Sequence, residues 1–154
     1  MALIHKDLVF TNLKFDNKTE TLNFLSKKLY EAGYAKESFP LAVINRENIF
    51  PTGLPTGIIN VAIPHADSEY VNKSALAVAT LKNPITFNNM GNPDEELAVS
   101  FIIMMAIAEP HGQVTMLQKI MQIIQNQDYL QKLMSLKEND LFTLLADEFD
   151  TITL

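Results

Sequence analysis

The sequence predicts an α/β fold in a single domain, residues 1–154, with a central mixed β-sheet flanked by helices. Three observations carry this. Short runs of branched residues fill the middle of the chain. Apolar residues recur at helical spacing towards both ends, and a length of 154 residues suits one domain. Hydrophobic residues make up 47% and charged residues 19%, a balance that packs a core and does not stay disordered. A chain this long buries roughly two thirds of its unfolded surface and needs no disulfide or metal staple.

Leu3 to Leu13, centred on Leu8, Val9 and Phe10, reads as the first strand. Asp16 or Asn17 can cap the following helix, which places Leu22, Leu25 and Leu29 on one face and stops near Gly33. A second helix is expected from Ser38 to Asn48. Ser38 is its candidate cap, Pro40 is tolerated in its first turn, and Leu41, Ile44 and Phe50 form its expected inner face. Phe50 to Gly57 holds Pro51, Gly53, Pro55 and Gly57 and reads as loop. Ile58 to Ile63 is a short branched strand closed by Pro64.

Ala75 to Leu81 and Leu97 to Ile107 are two further strands. The longest apolar run, Ala98 to Ala108, is broken only by Ser100. It is about half of the ~20 residues that a membrane helix needs, so it reads as buried strand. Asn83 to Glu96 is polar, contains Pro84, Gly91 and Pro93, and is expected to be loop or a distorted edge strand. From His111 onward Val114, Leu117, Ile120, Met121 and Ile124 recur at helical spacing. Asp128 can cap a short helix carrying Leu130 and Leu133, and Asn139 or Asp140 a last one carrying Leu141, Leu144 and Leu145.

Composition removes several function classes. The net charge of -6 argues against nonspecific nucleic-acid binding, which needs a basic face, and favours attraction to a basic partner. The absence of cysteine removes thiol nucleophiles and thiolate metal sites and suits a reducing compartment. The first residues lack a basic stretch followed by a long apolar one, so no signal peptide is expected and the protein is placed in the cytoplasm, without membrane insertion. No Walker loop, GxGxxG, GxSxG or HExxH pattern is present, so no cofactor is expected.

Three histidines remain. His5 reads as a surface residue near a terminus. His65 directly follows Val61-Ala62-Ile63-Pro64 at the C-terminal end of a predicted strand. Pro64 holds Ile63 extended, and such strand ends are where reactive groups and ligands gather in α/β sheets. Asp67 lies two residues on. By position alone a half-buried histidine closing a strand is an equally good reading. His111 opens the long helix after Pro110, where free N–H groups suit a phosphate or simply begin a helix. A third reading takes His65, Asp67 and His111 as zinc-type ligands of a metal-dependent hydrolase, although their spacing fits no metal pattern.

The segment Asn45-Arg46-Glu47-Asn48, the glycine and proline loop, and Val61-Ala62-Ile63-Pro64-His65 together resemble the active-site region of enzyme IIA components of the bacterial phosphoenolpyruvate-dependent sugar phosphotransferase system, fructose–mannitol type. The resemblance continues through the apolar strand Ile102 to Ala108 and the helix with His111, and covers nearly the whole chain. Phe50 to Thr56 and Pro64 to Asp67 look most like the galactitol-type branch. The resemblance implies a phosphotransferase step. HPr donates a phosphoryl group to Nε2 of His65, and His65 passes it to a cysteine of a separate IIB component. The IIC membrane component then moves a sugar or sugar alcohol. Arg46 would balance phosphoryl charge, because a guanidinium matches phosphate oxygens bidentately. A second side chain would donate to the phosphoryl group. Alignment on His-x-Gln-Val makes it His111, and alignment on the helix ending Asn126-Gln127-Asp128-Tyr129 makes it Gln113. Ile63 and Leu54 are expected to offer partners an apolar contact surface. The alternative within the same fold is a regulatory phosphoacceptor of the nitrogen type.

Overall fold

The computed structural model describes residues 2–152 and 154. The chain runs β1 (Ile4–Leu13), α1 (Lys18–Glu31), α2 (Phe39–Ile49), β2 (Gly53–Leu54) and β3 (Asn60–Ala62). A 3₁₀ turn at Ser68–Tyr70 leads to β4 (Ala75–Asn89), β5 (Asn92–Ala106), α3 (Pro110–Ile124), α4 (Gln127–Ser135) and α5 (Glu138–Phe149). β4 and β5 form an antiparallel hairpin, paired from Ala75↔Ala106 to Asn89↔Asn92. β1 lies parallel to β4 and β3 parallel to β5. β2 runs antiparallel to β3 and meets β4 at Gly53↔Asn89, so β4, β2, β3 and β5 close a circuit of pairings. The α/β fold with a mixed sheet is as the sequence predicts, and β2 brings its strands to five.

From Phe101 to Ala106 β5 is buried on both faces, which explains the apolar run there. Phe101, Ile103 and Met105 point to one face, with Met116, Ile120, Leu133, Leu141 and Phe149 from α3, α4 and α5. Ile102, Met104 and Ala106 alternate to the other, with Leu22, Leu25, Phe39 and Val43 from α1 and α2. Asn17 caps α1 by accepting from the Glu20 N–H at 2.9 Å. Gly33 follows the helix end at φ 88°, a left-handed position that stops it as expected.

Several elements depart from the sequence expectation. The buried face of α2 is Phe39, Val43 and Glu47, whereas Leu41 is 65% and Phe50 60% exposed. Apolar residues lie on two sides of this helix, and the buried carboxylate disguises the stripe that faces inward. Of the two readings of Asn83 to Glu96, loop or distorted edge strand, the structure shows the distorted strand. Its residues continue β4 and β5 around a tight turn, and Pro84 sits within the register shift between Thr80 and Ile85, where no ladder N–H is needed. β3 is shorter than Ile58 to Ile63, and the preceding loop contains β2. On α3 the inner face is Gly112, Met116, Ile120 and Ile124, leaving Val114 exposed. Asn126, not Asp128, caps α4, and α5 starts after Lys137 without a side-chain cap. His5 is half-buried and stacks on Tyr34 with ring centroids 4.7 Å apart, because α1's exit packs over β1.

Candidate active site

β3 delivers His65 to the sheet end. Beyond Ala62 the chain stays beside β5: the Met105 N–H donates to the Pro64 carbonyl at 2.9 Å, and His65 bridges Met105 in parallel register. Pro64 has no N–H of its own and a restricted φ, so the approach to His65 is stiff. The imidazole Nδ1 lies 2.9 Å from the Ile63 carbonyl oxygen. A carbonyl only accepts, so Nδ1 carries the proton and Nε2 keeps its lone pair. Burial lowers the His65 pKa below the ordinary histidine value, with Arg46 adding to that effect and the Ile63 bond and Asp67 opposing it. The neutral ring, with its Nε2 lone pair free, is therefore favoured.

Arg46 comes from the last turn of α2. Its Nη1 lies 3.4 Å from Asp67 Oδ1, and its guanidinium carbon is 5.3 Å from the centroid of the Phe50 ring. Its Nε is buried without a hydrogen-bond partner, so part of the fork is uncommitted. Arg46, Asp67 and Ala66 share a shallow cleft of about 240 Å³ with Ile49 and Phe50. From the opposite side, Gln113 of α3 donates Nε2–H to the Ala66 carbonyl at 2.8 Å.

The fold thus brings Arg46, Asp67 and Gln113 to the segment that carries His65. The His111 side chain is exposed, and its ring makes no hydrogen bond among the described residues. No group of three or more histidine and carboxylate side chains placed to hold a metal occurs among the described residues, so His65, Asp67 and His111 do not assemble into one. Ile63 and Leu54 are buried and offer no contact surface; the exposed apolar side chains nearest Arg46 in the chain are Ile49 and Phe50.

Sequence reasoning missed Glu47. It is 2% exposed, and both carboxylate oxygens accept from Thr52, one from the backbone N–H and one from Oγ1, each at 2.7 Å. Burial pushes its carboxyl up to about 7, against the pull of the Thr52 bonds. Its spacing of four from Val43 and eight from Phe39 was the available signal.

Residues 2–148 match the family described as phosphoenolpyruvate-dependent sugar phosphotransferase system, EIIA 2. The galactitol-specific EIIA component of Escherichia coli (strain K12) is 27% identical over 133 residues, spanning 86% of this chain and 88% of that protein. The mannitol-specific cryptic phosphotransferase enzyme IIA CmtB from Escherichia coli aligns with a TM-score of 0.76 at 16% identity, over 94% of this chain and 96% of that one. A chain from the complex of enzyme IIAMTL and phosphorylated enzyme IIBMTL from Escherichia coli aligns with a TM-score of 0.74 at 20% identity, over 92% of this chain and 95% of that one. These structures share the fold. Among the described residues no helix is long and apolar enough to cross a membrane. The match over nearly the whole sequence places the chain in the EIIA 2 family of the phosphoenolpyruvate-dependent sugar phosphotransferase system.

Proposed function

We propose that this chain acts as one IIA phosphocarrier domain, residues 1–154, taking a phosphoryl group from HPr on His65 Nε2 and passing it to a cysteine of a IIB component. The observation that supports it best is the Nδ1 contact with the Ile63 carbonyl, which leaves the Nε2 lone pair free. The Nε2 lone pair forms the N–P bond while phosphorus parts from its donor atom on HPr, whose electron pair leaves with HPr. A thiolate of IIB then takes the group by the same displacement, returning the pair to Nε2. Such transfers pass through a loose transition state, so the protein mainly positions and offsets charge. The partly uncommitted guanidinium of Arg46 suits that work, and Asp67 holds it in place until the phosphoryl group arrives.

The IIB partner is inferred from the IIAMTL–IIBMTL complex, and a galactitol-type sugar alcohol, moved by a IIC component, from the galactitol-specific relative. The exposed Ile49 and Phe50 beside Arg46 give a protein partner apolar area, and the whole step takes place in the cytoplasm.

Incubation with phosphoenolpyruvate, enzyme I and HPr, followed by intact mass, tests the reading. One phosphoryl group is expected, acid-labile and base-stable, and absent from His65→Ala. No gain in mass with active reagents would remove it. Labelled protein that transfers nothing to the galactitol-type IIB would point to the regulatory role instead.

A further inference from the structure

We infer that Glu47 is a positioning residue for the phosphoryl acceptor, holding the His65 ring in its Nδ1–H form through Thr52 and Ile63; the inference rests on the carrier reading for its functional consequence. Four contacts link the groups without a gap. The Glu47 carboxylate accepts from Thr52 N–H and Oγ1–H, both at 2.7 Å. The Thr52 carbonyl accepts from the Ile63 N–H at 3.2 Å. The Ile63 carbonyl accepts from His65 Nδ1–H at 2.9 Å.

Glu47 is an expensive residue at this place. A buried carboxylate loses its hydration, and the last turn of a helix is the end where the backbone dipole disfavours negative charge. An apolar side chain would extend the Phe39 and Val43 stripe without either cost. What the carboxylate does that an apolar group cannot is grip two donors of one residue. Thr52 is itself 2% exposed, so no water takes over that grip. Peptide groups are planar, so a fixed Thr52 directs its carbonyl at Ile63. The Ile63 carbonyl in turn belongs to the peptide joined to Pro64, which brings no N–H to orient it. Its direction is set by the neighbours: Thr52 holds the Ile63 N–H on one side, and the Met105 N–H holds the Pro64 carbonyl on the other. Because Arg46 is the adjacent residue on α2, the same clasp fixes the helix end that presents the guanidinium.

The test compares wild type, Glu47→Ala and Glu47→Gln by ¹⁵N-detected imidazole spectra and by single-turnover phosphorylation from phospho-HPr. Glu47→Gln can accept from Thr52 N–H and donate to Thr52 Oγ1, so it is expected to keep the Nδ1–H tautomer and the wild-type rate. Glu47→Ala is expected to show mixed tautomers and a rate lower by roughly tenfold, the effect of a reactive form reduced to about a tenth, with the half-saturating HPr concentration little changed. A folded Glu47→Ala protein with the Nδ1–H form and the wild-type rate overturns the inference. If that variant does not fold, Thr52→Val removes one of the two grips, and an unchanged tautomer there overturns it equally. The spectra need no phosphoryl donor: a wild type that cannot be phosphorylated sinks the carrier reading, while the tautomer comparison still decides the Glu47 link.

Discussion

Gln113 donates its Nε2–H to the carbonyl of Ala66, the residue after His65, at 2.8 Å. The contact ties the N-terminal turns of α3 to the loop that carries His65, from the side opposite Arg46. His111, two residues earlier, points to solvent.

Gln113→Ala is therefore expected to slow phosphoryl transfer more than His111→Ala. Losing one partly buried hydrogen bond costs about 1 kcal/mol, or roughly a fivefold rate effect if it is felt fully in the transition state. Single-turnover rates of the two variants check this. A slower His111→Ala protein would return the second site position to His111.

Arg46→Ala is expected to slow transfer by roughly tenfold or more, since charge-assisted donors act on the developing phosphoryl charge. Stability should change by less than about 1 kcal/mol, because the Asp67 pair is partly exposed and solvent screens it. Urea melts beside the kinetics separate the two effects.

The pH dependence of stability should report Glu47. Its carboxyl rises from 4.5 to about 7 on folding, so the folded state holds a proton that the unfolded state has released between those values. The resulting contribution is fully present below about pH 4.5 and is lost as pH rises through about 7, an effect on the order of 3 kcal/mol. Glu47→Gln should flatten this fall. Urea melts at mildly acid and mildly alkaline pH measure the difference, and parallel curves for the two proteins would count against it.

An NMR titration should place the His65 midpoint below the ordinary histidine value, because burial disfavours the imidazolium. The neighbours act with opposite signs. Arg46→Ala should raise the midpoint and Asp67→Asn should lower it further.

Gly53→Ala tests the β2 crossing. A Cβ there would lie 2.6 Å from the Asn88 carbonyl oxygen, a backbone atom that cannot swing away. A loss of about 1–3 kcal/mol is expected, read from thermal or urea unfolding. Because Gly53 follows Thr52, slower phosphorylation should accompany it.

Much of the fold was legible because its signals are local. The apolar run at Ala98 to Ala108, a cap at Asp16 or Asn17 and the Gly33 stop are read from neighbouring residues alone. For Asn83 to Glu96 the sequence left loop and distorted edge strand open, since Pro84 signals a break unless a register shift in the ladder accommodates it. The site divides in the same way. His65 stood out as a candidate because a strand, a proline and a histidine adjoin in the chain, and the family resemblance singled it out. Arg46 and Asp67 could be named, but only packing brings them within reach of one another.

By itself the sequence determined the order of strands and helices apart from β2, the burial of the C-terminal part of β5 and the stiff approach to His65 at a strand end. Periodicity and backbone restriction operate over a few residues and need no distant partner. Tertiary structure alone decided that α2 turns Val43 and Glu47 inward rather than Leu41, that Gln113 rather than His111 reaches the His65 loop, and that Glu47 closes on Thr52. A helix's rotation is set by the surface it packs against, and a buried polar group is tolerated only where another segment supplies its partners.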